Sequence, residues 1–112
     1  MKSSNFYERA MKSNILRKKY PKRIPVIIKK SSTKSNLPDI NNKKYLVPND
    51  LTLGQFLFVI RKNIQISPET ALYIFINNKL LPNSYTMNMA YEENKSEDGF
   101  LYIEYTGENT FG

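Results

Sequence analysis

The residue with the clearest chemical potential in this sequence is Gly112, the last one, because a terminal glycine carboxylate can serve as an acyl donor. Glycine has no side chain, so it can pass through a narrow enzyme channel and be activated there. A short polar tail, residues 106–111, precedes it. A terminal glycine is a weak signal by itself, and the prediction therefore depends on the elements before it.

Side chains that could catalyse a reaction are scarce. The chain has no cysteine and no histidine, which removes thiolate nucleophiles, histidine bases and most transition-metal sites. Four carboxylates, Glu92, Glu93, Glu97 and Asp98, cluster where a short helix is expected to run into a turn. We interpret them as a solvated acidic face, and we predict no catalytic residue, metal or cofactor.

A short strand could bind a peptide. In a strand over residues 43–48, successive side chains point to opposite faces, so Tyr45 and Val47 share one face while Lys44 and Leu46 share the other. An exposed edge strand can accept a peptide as an added strand, with pockets for alternate side chains. The pattern alone leaves open a plain core strand.

The charge of the chain is divided unevenly. Residues 1–44 hold 13 Lys and Arg against two acidic residues, a balance of +11, whereas residues 45–112 hold four against eight, a balance of −4. A basic half suggests an acidic partner such as anionic lipid, nucleic acid, tubulin-like tails or acidic peptides, and a solubilising surface is the alternative. No RNA- or DNA-binding signature is present, so nucleic acid is not expected. The longest apolar runs are too short to span a bilayer, and no secretory signal follows Met1.

Periodicity and turn residues predict the order of elements. Helices are predicted over residues 5–20, 51–63 and 86–94, and strands over 23–30, 43–48, 72–77 and 100–105. Asn5 with Glu8, and Thr52 with Gln55, have the spacing of capping boxes. Pro25 predicts an edge or a bulge in the first strand, because proline cannot donate a ladder hydrogen bond.

The first helix carries apolar residues at four-residue spacing. Phe6 and Ala10 form one such series, and Tyr7, Met11 and Ile15 form another that is offset by one residue. We interpret them together as one apolar face. The order of elements then predicts an α+β fold, a ubiquitin-like β-grasp with an added N-terminal helix packed on the sheet. One domain is expected over residues 1–112, with a helical extension (1–20), a core (21–105) and a flexible tail (106–112).

Several ordered segments together resemble a known family. They are residues 20–27, 43–48, 51–56, 59–62, 73–77 and 98–112. The chain resembles the ubiquitin-like autophagy modifiers of the autophagy-related protein 8 family, which includes light chain 3 and the GABA-receptor-associated proteins. It is especially similar to fungal members, whose tail also reads Gly-Glu-Asn-Thr-Phe-Gly.

The resemblance implies conjugation through Gly112. An activating enzyme would adenylate its carboxylate, thioesters would form on cysteines of that enzyme and a conjugating enzyme, and phosphatidylethanolamine would receive an amide bond. The family is usually made with residues after this glycine, which a cysteine protease removes, so that protease is a further expected partner. The resemblance implies a cytoplasmic protein that joins autophagosome or vacuole membranes when lipidated. The alternative function is an unconjugated basic module that binds microtubules or RNA.

The resemblance also implies docking of cargo receptors that carry an aromatic-x-x-aliphatic motif. The aromatic pocket would comprise Leu16, Pro25, Ile27, Lys44, Leu46 and Phe100. The aliphatic pocket would comprise Tyr45, Val47, Pro48, Leu51, Phe56 and Val59. Flanking acidic residues would meet Arg23 and Arg61, and a second docking face would lie at Tyr73 and Phe75.

Two residues depart from the family pattern. Lys12 stands where relatives often have an acidic residue beside the aromatic pocket, so we expect a stronger preference for acidic peptides. Asn63 replaces a frequent arginine, which predicts weaker contacts to the processing protease or to some receptors.

Overall fold

The computed structural model describes residues 4–31 and 37–107, and Gly112 lies outside them. Within these ranges, three helices and four strands follow one another in the predicted order. They are α1 (Ser4–Lys19), β1 (Arg23–Lys30), β2 (Lys44–Pro48), α2 (Leu53–Ile64), β3 (Tyr73–Phe75), α3 (Met87–Asn94) and β4 (Leu101–Thr106).

The four strands form one mixed sheet in the order β2-β1-β4-β3. β1 pairs antiparallel with β2 and parallel with β4, and β3 pairs antiparallel with β4. Ile24, Val26 and Ile28 of β1 are fully buried in the core with Phe56 and Ile60 of α2. Because side chains alternate along a strand, Ile27 points to the opposite face, against which α1 packs. The ubiquitin-like fold with its N-terminal helix is thus confirmed.

Threonine caps define the starts of α2 and α3. The Thr52 hydroxyl accepts a hydrogen bond from the Gln55 amide at 3.1 Å, and the Gln55 side chain accepts one from the Thr52 amide at 2.9 Å. This confirms the predicted capping box, and it places the start of α2 at Leu53 rather than at residue 51. Thr86 caps α3 in the same way by accepting from the Met89 amide.

The predicted cap of α1 is wrong. The helix begins at Ser4, so Asn5 lies inside it. A capping residue needs a non-helical backbone, and Asn5 therefore cannot form the capping box with Glu8.

The apolar residues of α1 do not form one face as predicted. Phe6, Ala10 and Leu16 are partly buried. Tyr7, Met11 and Ile15 remain 60%, 66% and 55% exposed. A helix turns by roughly 100° per residue, so the two series lie on different sides of α1.

Pro25 marks neither a sheet edge nor a strand bulge. β1 lies between two strands, and its pairing with β2 runs without interruption from Arg23 to Ile27. The Ile28 amide bonds to the carbonyl of Lys43, the residue just before β2. Amides alternate between the two sides of a strand, so position 25 faces the β4 side. Pairing with β4 begins only at Val26, so the missing N–H of Pro25 breaks no bond.

β3 is shorter than the apolar run that predicted it. Its ladder covers Tyr73–Phe75, after which Ile76 and Lys79 form an isolated bridge. The two residues between them, Asn77 and Asn78, have φ angles of 52° and 61°, as a tight hairpin turn requires. Strand pairing therefore ends before the hydrophobic sequence does.

Candidate peptide-docking groove

A groove lies between α1 and β2, the strand at one edge of the sheet. Val47 is buried in the core and Tyr45 packs against it. Lys44 and Leu46 point to the other face, toward α1. β2 is therefore an edge strand with the predicted alternation, and its outward side chains contribute one wall of the groove.

Two adjoining cavities open in this groove. The first has a volume of about 300 Å³ and is lined by Lys12, Leu16, Val26, Lys44, Tyr45, Leu46 and Phe100. The second, of about 210 Å³, is lined by Asn5, Glu8, Arg9, Lys12, Ile27, Lys44 and Phe100. Four residues predicted for the aromatic pocket line the first cavity, and Ile27 lines the second. The sixth, Pro25, is fully buried and pairs with Leu46 across the sheet.

The mouth of the groove is mainly basic. Lys12 and Lys44 border both cavities, and both side chains are exposed. Glu8 and Arg9 border the second cavity only. A peptide with acidic residues beside its aromatic side chain would therefore meet two lysines where the cavities join.

The main chain of Leu46 faces outward. The Ile28 amide bonds to the Lys43 carbonyl, and the Asn49 amide bonds to the Lys22 carbonyl. By alternation, the Leu46 N–H and C=O point away from β1. The Arg23 guanidinium donates to the Leu46 carbonyl at 3.2 Å. Arg23, which was predicted to meet acidic residues beside the peptide motif, thus lies against the main chain that an added strand would contact.

The residues predicted for the aliphatic pocket lie at the junction of β2 and α2. Val47 and Phe56 are buried, and Tyr45 meets Phe56 edge to face with 5.8 Å between ring centroids. The Asn63 amide donates to the Tyr45 hydroxyl at 2.8 Å. Pro48 is exposed, whereas Leu51 and Val59 pack partly buried against the core. Asn63, noted above as a departure, therefore holds a side chain of this predicted pocket.

Arg61, the second residue predicted to meet acidic residues of the peptide, makes hydrogen bonds within its own chain. Its guanidinium donates to the Ser67 carbonyl at 3.0 Å and to the Thr70 carbonyl at 2.6 Å. It holds the loop after α2, so an acidic peptide residue would have to compete with these bonds.

The second predicted docking face lies at the opposite edge of the sheet. Tyr73 is partly buried and Phe75 is 4% exposed. β1 and β4 separate them from β2, so the two predicted docking regions are distinct surfaces.

A buried carboxylate fixes α1 beside the groove. Asp98 is 2% exposed and accepts from the Arg9 guanidinium at 2.9 Å, from the Phe100 amide at 3.0 Å and from the Tyr102 hydroxyl. The Ser13 hydroxyl donates to the Asp98 carbonyl. The interpretation of Asp98 as part of a solvated acidic face is therefore wrong, because α1 covers this turn.

The electrostatics of this cluster follow from its contacts. Burial raises the pKa of Asp98, but the hydrogen bonds from Tyr102, Phe100 and Arg9 outweigh it and leave the pKa below its ordinary value. Burial, followed by the bond to Asp98, raises the pKa of Tyr102 to about 12. The fold thus holds Asp98 ionised and Tyr102 neutral near pH 7.

Known proteins share the sequence pattern and the fold of this chain. Residues 8–112 match the family model described as "Autophagy protein Atg8 ubiquitin like". This chain belongs to the Atg8 family. Autophagy-related protein 8B of Oryza sativa subsp. indica is 57% identical over 104 residues, which cover 93% of this chain and 87% of that relative.

Fungal and trypanosome Atg8 proteins are also similar. Autophagy-related protein 8 of Schizosaccharomyces pombe is 57% identical over 108 residues, 96% of this chain and 88% of that protein. The crystal structure of Trypanosoma brucei ATG8 superposes with a TM-score of 0.87 at 39% identity and covers 100% of both chains. The resemblance to fungal members is confirmed, and plant members of the Atg8 family are as similar.

Two other kinds of site are absent from the part of the chain that the structure describes. Among the described residues no helix is long and apolar enough to cross a membrane. Within residues 4–31 and 37–107, no group of three His, Cys, Asp or Glu could hold a metal ion. The functional feature of this Atg8 family member that the described residues present most clearly is the groove between α1 and β2.

Proposed function

We propose that this chain is a ubiquitin-like modifier in autophagosome formation, joined through Gly112 to phosphatidylethanolamine. The Gly112 carboxylate is adenylated with release of pyrophosphate, and a cysteine thiolate of the activating enzyme displaces AMP. The acyl group passes to a cysteine of the conjugating enzyme, and the lipid amine then displaces that thiol to form an amide. The chain supplies the acyl group, and its partners supply every nucleophile, consistent with a sequence that lacks Cys and His.

The physical result of conjugation is a protein that carries two acyl chains. One acyl chain gives only marginal membrane binding, whereas two give a durable anchor. Membership of the Atg8 family and the chemistry of glycine support this proposal. We also propose a processing cysteine protease as a partner of this chain.

The second part of the proposal is that the groove docks cargo receptors with an aromatic-x-x-aliphatic motif. The peptide adds a strand beside β2, its aromatic side chain enters the cavity bordered by Leu16, Leu46 and Phe100, and its aliphatic side chain meets Tyr45 and Leu51. The observation that carries this is the 300 Å³ cavity open beside an edge strand. Edge strands recognise peptides by main-chain bonds and alternate side-chain pockets.

Deletion of Gly112 tests the conjugation proposal. We expect a reconstituted conjugation reaction to give no lipid-linked product with the deleted chain, while its peptide binding stays unchanged, because Gly112 is not one of the residues assigned to either peptide pocket. The readouts are the mobility of the product on a gel and its co-flotation with vesicles. Conjugation of the deleted chain at the wild-type level would contradict the proposal.

A further inference from the structure

The outer face of α1 has a row of three large apolar side chains that the function proposed above does not use. Tyr7, Met11 and Ile15 are 60%, 66% and 55% exposed. Each step of four residues turns the helix by roughly 40°, so the three side chains form a stripe about 12 Å long. A single exposed apolar residue is ordinary, whereas a continuous apolar stripe is a feature typical of contact surfaces.

The opposite side of the same helix is already occupied. Ser13 is 3% exposed and bonded to the Asp98 carbonyl, and Arg9 pairs with the Asp98 carboxylate. Arg17 lies over the Tyr91 ring of α3 at 5.0 Å. The inner face therefore fixes α1 on the fold and leaves the stripe directed outward.

Lysines border the stripe. Lys18 and Lys19 are exposed and lie in the final turn of α1. The Lys19 ammonium lies 5.5 Å from the centre of the Tyr20 ring, which is itself 38% exposed. Glu8 is the single acidic residue in the sequence of α1, so the net charge of the helix is positive.

We propose that the outer face of α1 is an interfacial binding surface for anionic lipid membranes. Tyr7, Met11 and Ile15 enter the headgroup region, and Lys18 and Lys19 contact the anionic headgroups. Helices that lie in a membrane interface combine an apolar face with lysine and arginine, and tyrosine is favoured at that depth. Lysine also suits this position, because its stem packs on apolar surface while the ammonium stays in water.

The proposal does not require conjugation, since it concerns the surface of the unmodified chain. It also does not use the peptide groove, because Tyr7, Met11 and Ile15 do not line either cavity there. Failure of this inference would therefore leave the proposed function untouched.

The test is sedimentation of the unmodified full chain with vesicles of phosphatidylcholine alone and of phosphatidylcholine mixed with phosphatidylserine. We expect binding to the mixed vesicles only. The variant with Tyr7→Gln, Met11→Gln and Ile15→Gln keeps good helix formers and should lower the partition coefficient by about tenfold or more. Lys18→Gln with Lys19→Gln should lower it by a similar factor, because each surface cation contributes a roughly fivefold attraction.

Matched controls come from α2. Phe58 is 66% exposed, as Met11 is, so Phe58→Gln removes similar apolar area outside the stripe. Lys62→Gln removes an exposed charge from the last turn of α2. Both control variants should partition as wild type, and circular dichroism should show the same helix content throughout.

Three results would overturn the proposal. They are a wild-type chain that binds neither vesicle, stripe variants that bind as wild type, and Phe58→Gln that loses as much binding as the stripe variants. If the stripe instead fits an apolar groove of a partner protein, the first result is the one obtained.

Discussion

Leu46 is the residue on which the groove most depends. Its side chain borders the first cavity, while its own N–H and C=O face outward from the sheet edge. It is only partly buried, so the core does not rely on it as it relies on Val47 beside it. A binding role and a folding role can therefore be separated at this position.

We predict that Leu46→Ala weakens docking of an aromatic-x-x-aliphatic peptide more than it destabilises the fold. Loss of one buried apolar wall should lower the affinity by about tenfold or more, whereas the free energy of unfolding should fall by only about 1 kcal/mol. Calorimetric titration and urea unfolding measure the two effects. Leu80→Ala, at a site that is 50% exposed outside the groove, is the control. Equal losses of binding and stability in Leu46→Ala would argue against a pocket role.

Lys12 is the second residue with a specific expectation. It borders both cavities of the groove, so Lys12→Glu should weaken an acid-flanked peptide by about fivefold at low salt and less at high salt. A peptide with neutral flanks should be nearly unaffected. The matched control is Lys62→Glu on α2, and titrations of both peptides provide the measurement. Equal affinity of the wild-type chain for neutral and acidic peptides would refute the preference.

Contacts within one turn of chain are predictable from the sequence, and contacts between distant residues are not. The capping box of Thr52 and Gln55 was predictable, because both partners lie within one turn of chain. The burial of Asp98 was not predictable, because its partner Arg9 lies 89 positions away in the sequence and α1 covers Asp98 only once the chain has folded. The Gly99 φ of 86° explains the Asp-Gly turn, but a turn signal does not reveal what packs against it. Four residues of the predicted aromatic pocket do line one cavity, and they were found by resemblance rather than from the pattern.

At the scale of elements, α1 packs against the turn before β4, and α1 thereby forms the wall of the groove opposite β2. A Cβ at Gly99 would come within 2.3 Å of the Ser13 hydroxyl, so this turn and α1 approach too closely for any other residue. Pairing of Arg9 with Asp98 adds an electrostatic contact to that close packing. The position of α1 is thus specified by contacts distant in sequence, and hydrophobic periodicity alone misassigned its outer stripe.

We predict that the stability gained from Asp98 depends on pH. Its folded pKa lies below its unfolded value of about 3.9, so the contribution is complete above that value and is lost as pH falls through the folded pKa. Asp98→Asn should lower the free energy of unfolding by about 2 kcal/mol at neutral pH, with the deficit shrinking at acidic pH.

Urea unfolding of wild type and Asp98→Asn at neutral and acidic pH measures this dependence. Glu92→Gln, which removes an exposed carboxylate 3.9 Å from Lys95, serves as the control and should show little deficit at either pH. A deficit in Asp98→Asn that stays constant across pH would contradict a role for the ionised carboxylate.

For the whole molecule, the uneven charge and the fold together favour docking. The basic part of the sequence, residues 1–44, supplies α1, β1 and Lys44 at the start of β2, and these line the groove together with the rest of β2 and Phe100. Element order and sheet pairing followed from patterns along the chain, because each strand and helix carries its own periodicity. The groove could not be predicted from such patterns, because it forms between α1 and β2, which are separated by 24 residues of sequence. A basic module that bound polyanions without conjugation would instead lose binding steeply with salt and ignore the anchor side chains.

The most direct test of the docking claim is calorimetric titration of the full chain with a short acidic aromatic-x-x-aliphatic peptide, beside the same peptide with both anchors changed to alanine. We predict binding with a dissociation constant of roughly 1 μM to 10 μM for the first peptide and none for the second. Equal binding of the two peptides, or no binding of either to a chain shown to be folded, would contradict the account.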